Sequence, residues 1–255
     1  VSLFYSAVKA FLGFRVNEDE YKVMGMAGYG EPVLYQAFRD LFDLRPDGTF
    51  TIEQRYFDFL HPVDIPYTSH LVALLGEPRV PESPFVLGEA DGVDAETRSK
   101  SKHYANIAAS AQAVTEEVIL HMVNCAIEQT NIPDVCLAGG VALNSLANGR
   151  IRTANRGRLY VQPAAGDAGG ALGAALYWNF CRLGGKQREP MESAYLGKRY
   201  QNTDVELALK ESFTTKYEYV PDESELCQRV AGLLKDGAVI GWFHGRSEFG
   251  PRALG

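Results

Sequence analysis

Hydrophobic and polar positions follow a helical period over several stretches of this chain. Residues 2–13 place Leu3, Ala7, Ala10 and Phe11 on one face and predict a helix. The longest such pattern covers 102–130, where Ile107, Ala108, Ala111, Val114, Val118, Met122 and Cys125 recur at i, i+3, i+4 spacing. It predicts a helix buried along one stripe. Residues 33–43 predict a further helix, and the weak alternation over 48–60 predicts a strand or hairpin arm. After a polar turn at Asn17–Glu20, the segment Tyr21 to Gly30 carries Gly25, Gly28 and Gly30 and predicts a turn that backbone can approach closely. Residues 61–100 are rich in Pro, Gly and acids; they predict an irregular excursion with a short helix near Ser69–Leu75.

Two strand–turn–helix units come next. The first runs Asp134-Val135-Cys136-Leu137, then Ala138-Gly139-Gly140, then a helix through Asn148. The second runs Arg158 to Val161, then Gln162 to Gly166, then a helix from Asp167 to Phe180. Strands alternating with helices indicate an α/β fold. Residues 184–190 read as a linker. Beyond it a helix at 203–212, a strand at 217–220, a helix at 223–236 and a strand at 238–243 suggest a second α/β domain. The expected division is 1–190 and 191–255.

Composition narrows the class. Of 255 residues, 46% are hydrophobic and 22% charged, which suits a packed core rather than a disordered chain. A net charge of −7 without a basic cluster disfavours nucleic acid as the main partner, while leaving phosphate ligands open because local groups bind those. Cys125, Cys136, Cys181 and Cys227 are scattered with no CxxC pair, which fits reduced thiols and a cytoplasmic location. No apolar run reaches the roughly 18 residues that span a bilayer, and no signal-peptide pattern opens the chain. The first residue is Val1 and the last segment is rich in Gly and Pro, so the chain is expected to be part of a longer polypeptide.

Four segments carry candidate chemistry. Ala138-Gly139-Gly140-Val141-Ala142-Leu143-Asn144 places glycines after a buried strand, where exposed backbone N–H groups suit a base or phosphate. It is neither a GxGxxG nor a P-loop, and a plain strand-to-helix turn is the other reading. Pro163 to Gly173 carries Asp167 among small residues. Such an Asp either caps a helix or faces the crevice where α/β sheets bind ligands, able there to hold a metal beside a polyphosphate. Glu20 and Lys22, near a helix end, suit a ribose hydroxyl and a phosphate, or form a solvated charged end. Arg246 and Arg252 stand on a Gly/Pro-shaped loop; guanidinium forks suit phosphate or carboxylate, and ordinary surface ion pairs are the alternative. No two histidines are four apart, so no HxxxH metal pair exists, and neither a GxSxG nor a Cys–His signature appears.

In order, these segments resemble the O-carbamoyltransferase family of nodulation-factor and antibiotic tailoring. Glu20 to Gly30 is similar to its E-x-K-hydrophobic-M-G-L-A-x-Y-G stretch, and Ala138 to Asn144 to its G-G-V-A-L-N segment. Pro163 to Gly173 is similar to P-x-x-G-D-x-G-x-A-x-G, and Arg246 to Gly255 to R-x-E-F-G-P-R-A-L-G. The resemblance implies the carboxyl-terminal part of an actin/hexokinase-like (ribonuclease H-like) ATPase domain, running into the start of a YrdC-like domain. It implies transfer of a carbamoyl group from carbamoyl phosphate and ATP, through carbamoyl-adenylate, to a hydroxyl of a small acceptor.

By the same resemblance Gly139, Gly140, Val141, Asn144 and Gly166 line the nucleotide, with Glu20 and Lys22 near its ribose and phosphates. Asp167 is a metal ligand, iron being the family expectation. Arg246 and Arg252 belong to the carbamoyl phosphate or ATP site of the second domain. The family's paired metal-binding histidines lie upstream of the matched segments, so the metal site is expected to be incomplete here and the fragment inactive alone. A homodimer stands as a candidate assembly. A sugar or acetate kinase of the same superfold, and a non-catalytic nucleotide-binding subunit, are the rival readings.

Overall fold

The computed structural model describes residues 1–15, 20–60, 65–88, 92–212 and 215–251. They form two compact units, Val1–Asp167 and Ala168–Gly255.

The first unit is organised around one long helix, α5 (Ala95–Thr130); α1 (Ser2–Phe11), α2 (Glu20–Ala27), α3 (Tyr35–Arg39) and α6 (Ser145–Ala154) all pack against it. Helix α5 begins earlier than the apolar stripe suggests, inside the segment expected to be irregular. Asp94 explains this: its carboxylate accepts from Thr97 N at 2.7 Å and from Thr97 Oγ1 at 3.0 Å, supplying the N-cap. The helix ends where Asn131 turns left-handed at φ 54. Met122, expected on the buried stripe, is 42% exposed, because at this level of α5 the buried positions have moved to Ile119 and Val123, which pack on Ala147 and Ile151 of α6.

Helix α1 buries Phe4, Ala7, Val8 and Phe11, a strict i, i+3, i+4, i+7 face. Leu3, expected on that face, lies off it and is 58% exposed. Phe4 sits edge-on to Phe38, Phe42 and Phe57 at centroid distances of 5.6, 5.0 and 6.1 Å, the aromatic centre of this core.

The Tyr21–Gly30 stretch corrects the sequence reading. Most of it is α2, with Gly25 inside the helix and only Gly28 and Gly30 in the turn that follows. Burial of Val23, Met26 and Ala27 against the core outweighs the cost of a helical glycine, about 1 kcal/mol. Gly30 is required by close approach: a Cβ there would stand 2.0 Å from the Ala105 carbonyl oxygen of α5.

The helix expected over 33–43 is shorter. Its end is taken by β1 (Phe42–Leu44), which pairs antiparallel with β2 (Phe50–Ile52) in the register Phe42↔Ile52. Helix α4 (Ser69–Leu75) stands where expected, with Thr68 as N-cap.

Strands β3 (Val135–Leu137) and β4 (Leu159–Val161) pair in parallel, with Cys136 opposite Tyr160. Helix α6 forms the crossover between them, as a parallel pair requires. Beneath the pair lies a small cluster of Ile119, Val123, Ala147 and Ile151. Arg158 ties the two strand starts together: its backbone N and its guanidinium hold Asp134 at 2.9, 3.0 and 2.5 Å.

The second unit holds α7 (Gly169–Tyr177), extended by a wider helical turn over Trp178–Arg182, then α8 (Asn202–Glu211) and α9 (Glu223–Lys235). The strands expected at 217–220 and 238–243 are not formed. No neighbouring strand pairs with them among the described residues, and Val239 is 99% exposed. The described residues form an α/β arrangement with two small sheets. Among the described residues no helix is long and apolar enough to cross a membrane.

Candidate functional site

The two glycine-bearing turns leave the same end of the parallel pair, the carboxyl end, where open α/β sheets bind ligands. Leaving β3, the chain reaches Gly139 at φ 92, ψ 166, a conformation essentially confined to glycine. Gly139 N then donates to the carbonyl of Ala165 at 2.8 Å, so the turn after β3 is bonded directly to the turn after β4. Gly140 Cα and Leu143 Cδ1 would lie 3.8 and 3.9 Å from a Cβ on Gly166, in ordinary van der Waals contact. A Cβ on Gly139 or Gly140 would meet nothing within 4 Å. The outer side of this turn is therefore open backbone against which a flat or charged ligand can rest.

Residues Gly140–Leu143 form a 3-10 turn, and Asn144 starts α6. Asn144 Oδ1 caps that helix by accepting from Ala147 N at 3.0 Å. Asn148 Nδ2 donates back to the carbonyl of Ala142 at 2.7 Å, bracing the turn from the helix side. Val141 packs on the apolar cluster below.

The resemblance implied Gly139, Gly140, Val141, Asn144, Gly166, Glu20 and Lys22 around a nucleotide and Asp167 as a metal ligand; the structure gathers Gly139, Gly140, Val141, Asn144, Gly166 and Asp167 into one loop cluster, while Lys22 stands apart on α2. Within it, Asn144 is buried and turned inward, Val141 is on the core side, and Gly139, Gly140 and Asp167 are at the surface. Asp167 caps nothing: α7 has no side-chain cap.

Lys22 lies on α2, half-buried, its ammonium 5.9 Å from the centre of the Phe14 ring and 6.0 Å from that of Tyr21. Glu20 opens α2, and its side chain lies outside what is described. Arg252 also lies outside the described residues. Arg246, in the second unit, lines an open cleft of about 460 Å³ with Glu189, Glu192, Tyr195 and Leu196. That loop is held by Gly197 N donating to Ser247 O at 2.9 Å and Phe249 N to Ala194 O at 2.7 Å.

No three His, Cys, Asp or Glu side chains group as a metal site among the described residues. Asp167 is a single carboxylate there, and the described residues do not by themselves fit a bound iron.

The sequence reading missed a buried polar chain behind the turn. Gln112, on α5 and 3% exposed, bonds Asn144 twice: Gln112 Nε2 donates to Asn144 Oδ1 and Asn144 Nδ2 donates to Gln112 Oε1, both at 3.0 Å. Tyr5 of α1 donates its hydroxyl to Gln112 Oε1 at 2.9 Å, and Gln112 Nε2 donates to Glu116 Oε1 at 2.9 Å. Glu116 in turn accepts from Arg150 Nε of α6 at 2.9 Å. The signal was present: Gln112 follows Ala108 by four residues, a polar side chain on the stripe the period assigns to the core.

A second cluster, Tyr35, Arg39 and Glu117, joins α3 to α5. The Tyr35 hydroxyl donates to Glu117 Oε2, and Arg39 Nε donates to Glu117 Oε1 at 2.8 Å. The hydrogen bond to Glu117 raises the Tyr35 hydroxyl above its ordinary pKa, with burial adding to it.

The geometry defines an α/β protein whose glycine turns meet at the carboxyl edge of a parallel strand pair. Comparison supplies the family. Residues 1–176 match the family model described as Carbamoyltransferase N-terminus, and the chain belongs to that family. An uncharacterized protein of Synechocystis sp. is 43% identical over 263 residues, covering 100% of this chain and 40% of its own length. Nodulation protein NolNO of Sinorhizobium fredii is 33% identical, covering 100% of this chain and 34% of itself. Nodulation protein NolO of Bradyrhizobium diazoefficiens is 32% identical, covering 100% of this chain and 42% of itself. The resemblance carried by the four motifs is thus the family relationship, and the chain spans well under half the length of these relatives.

Proposed function

We propose that this chain is the nucleotide-facing part of an ATP-dependent O-carbamoyltransferase, with the carboxyl-terminal part of an actin-like domain over 1–190 and the start of a YrdC-like domain over 191–255. In the whole protein, water releases phosphate from carbamoyl phosphate, the carbamate oxygen attacks the ATP α-phosphorus to form carbamoyl-adenylate with loss of pyrophosphate, and the acceptor hydroxyl takes the carbamoyl group with loss of AMP and the hydroxyl proton. One observation carries the reading: the 2.8 Å bond from Gly139 N to Ala165 O, which joins two glycine turns at the carboxyl edge of β3 and β4 in a chain of the carbamoyltransferase family.

In this reading Gly139 and Gly140 present bare backbone to the nucleotide, where a side chain would hold it away. Asp167, exposed at the rim, supplies a negative group beside the ligand. Arg246 supplies a guanidinium for phosphate oxygens in the second domain. Glu189 and Glu192 line the same cleft. The division of labour suits an adenylate, which water destroys readily and which is best made and consumed in enclosed, adjoining sites.

The test uses the intact protein. Incubation with ATP and carbamoyl phosphate should release pyrophosphate only when carbamoyl phosphate is present, with carbamoyl-adenylate detected by mass spectrometry. ADP formation without carbamoyl phosphate, or no turnover under any condition, overturns the proposal.

A further inference from the structure

We infer that Gln112 is a positioning residue for the glycine turn, acting through Asn144; its functional meaning rests on the reading of that turn as the nucleotide site. Burying a primary amide is costly unless its polar atoms are paired. Here every one is. The two Nε2 hydrogens go to Glu116 Oε1 and Asn144 Oδ1, and the two Oε1 lone pairs accept from the Tyr5 hydroxyl and Asn144 Nδ2.

The orientation of this amide has a single solution. Glu116 as a carboxylate only accepts, so Nε2 must face it. Oε1 is thereby aimed at Tyr5 and at the nitrogen of Asn144. That fixes Asn144 with its oxygen toward Ala147 N, the cap that starts α6. The backbone N–H of Asn144 donates to the Val141 carbonyl at 2.9 Å, and that bond ends the 3-10 turn Gly140–Leu143. Gly139, in a conformation open to glycine, begins that turn, and Asn144 closes it. A leucine at 112 would fill the same space but leave Asn144 Nδ2 without an acceptor and the amide held by its cap to Ala147 N alone. The sequence retains a fully paired amide, as a device for geometry rather than for burial would.

Two variants separate positioning from mere stability. Gln112→Leu removes all four bonds. Asn144→Asp keeps the cap oxygen, since Asp is as good an N-cap as Asn. It sets an oxygen against Gln112 Oε1, which cannot turn away because Glu116 holds Nε2. Val118→Ala, in the buried stripe of the same helix, serves as the destabilising control.

In the intact protein, amide hydrogen exchange is read by mass spectrometry, and ATP affinity by titration calorimetry. Both variants should exchange about tenfold faster over residues 139–147 while the β1–β2 hairpin keeps its rate. Val118→Ala should lower the thermal midpoint without that selective loosening. ATP should bind about tenfold more weakly to both variants and unchanged to the control. Wild-type exchange over 139–147 in both variants overturns the inference, whatever ATP does. Selective loosening in a protein whose wild type takes up no ATP supports the positioning role and overturns the nucleotide reading instead.

Discussion

The side-chain amides of Gln112 and Asn144 lie in a reciprocal pair, each donating to the other at 3.0 Å, and so join the longest helix to the first residue of the helix beneath the glycine turn. The pair belongs to tertiary structure: 32 residues separate its members. A double-mutant cycle measures it. Gln112→Ala should cost about 1–3 kcal/mol, because Asn144 Nδ2 is left buried without its acceptor while Oδ1 keeps only the cap to Ala147 N. Asn144→Ala should cost more, since about 1 kcal/mol of helix cap goes with it. The double variant should cost less than the sum by about 1 kcal/mol. Additive losses in urea denaturation would show the pair to be coincidental.

Gly139 and Gly140 should respond differently to alanine although both face open space. Gly139→Ala forces a side chain into the φ 92, ψ 166 conformation and should cost about 1–3 kcal/mol. Gly140→Ala should leave stability within about 0.5 kcal/mol. Its effect should appear in ATP affinity, where the new methyl group stands between backbone and ligand. Thermal melts and calorimetric titration of the two variants check both halves.

At Gly30 the constraint is packing. A methyl group 2.0 Å from the Ala105 carbonyl oxygen must drive α2 away from α5. Gly30→Ala should destabilise by about 1–3 kcal/mol or more. Gly28→Ala, whose added carbon meets its nearest neighbour at 3.5 Å, should be close to neutral by the same denaturation measurement.

Asp134 supplies a pH dependence of known sign. The side chain of Arg158 and then its backbone N–H hold the Asp134 carboxyl below the usual carboxylate range. A depressed carboxylate contributes stability that is fully present above its unfolded pKa, about 4, and is lost as pH falls through its lower folded value. The melting temperature of wild type should therefore exceed that of Asp134→Asn at pH 6, and the gap should close at strongly acidic pH. A gap that does not narrow on acidification would show the ion pair to be immaterial.

Asp167→Asn tests function with little structural disturbance, since the side chain is exposed and caps no helix. Its melting temperature should match wild type. In the intact protein, carbamoyl transfer should fall sharply while carbamoyl-adenylate formation continues. Loss of both together would overturn the division of synthesis and transfer between two sites.

Much of the fold was legible because its cause is local. The stripe through Ile107, Ala111, Val114 and Val118 records one buried face, and the glycines after Leu137 and Val161 record strand-to-helix turns. Where the reading failed, a partner distant in sequence was decisive. Phe42–Leu44 left a helical pattern for a strand because Phe50–Ile52 was there to pair with it. Gly25 stayed inside a helix because Val23, Met26 and Ala27 could be buried against the core. Residues 238–243 have the composition of a strand yet remain unpaired among the described residues, since a strand exists only with a neighbour.

The candidate site divides in the same way. Its glycines, its asparagine and its aspartate were readable as residue types in order, because backbone exposure and helix starts depend on adjacent residues. Tertiary structure decided that the two turns share the Gly139–Ala165 hydrogen bond and that Asn144 faces inward. It also decided that Tyr5, Gln112 and Glu116 stand behind the turn. The sequence by itself determined which residues could meet a ligand; only packing determined which of them do the holding, because a buried hydrogen bond needs both partners brought into place by the fold.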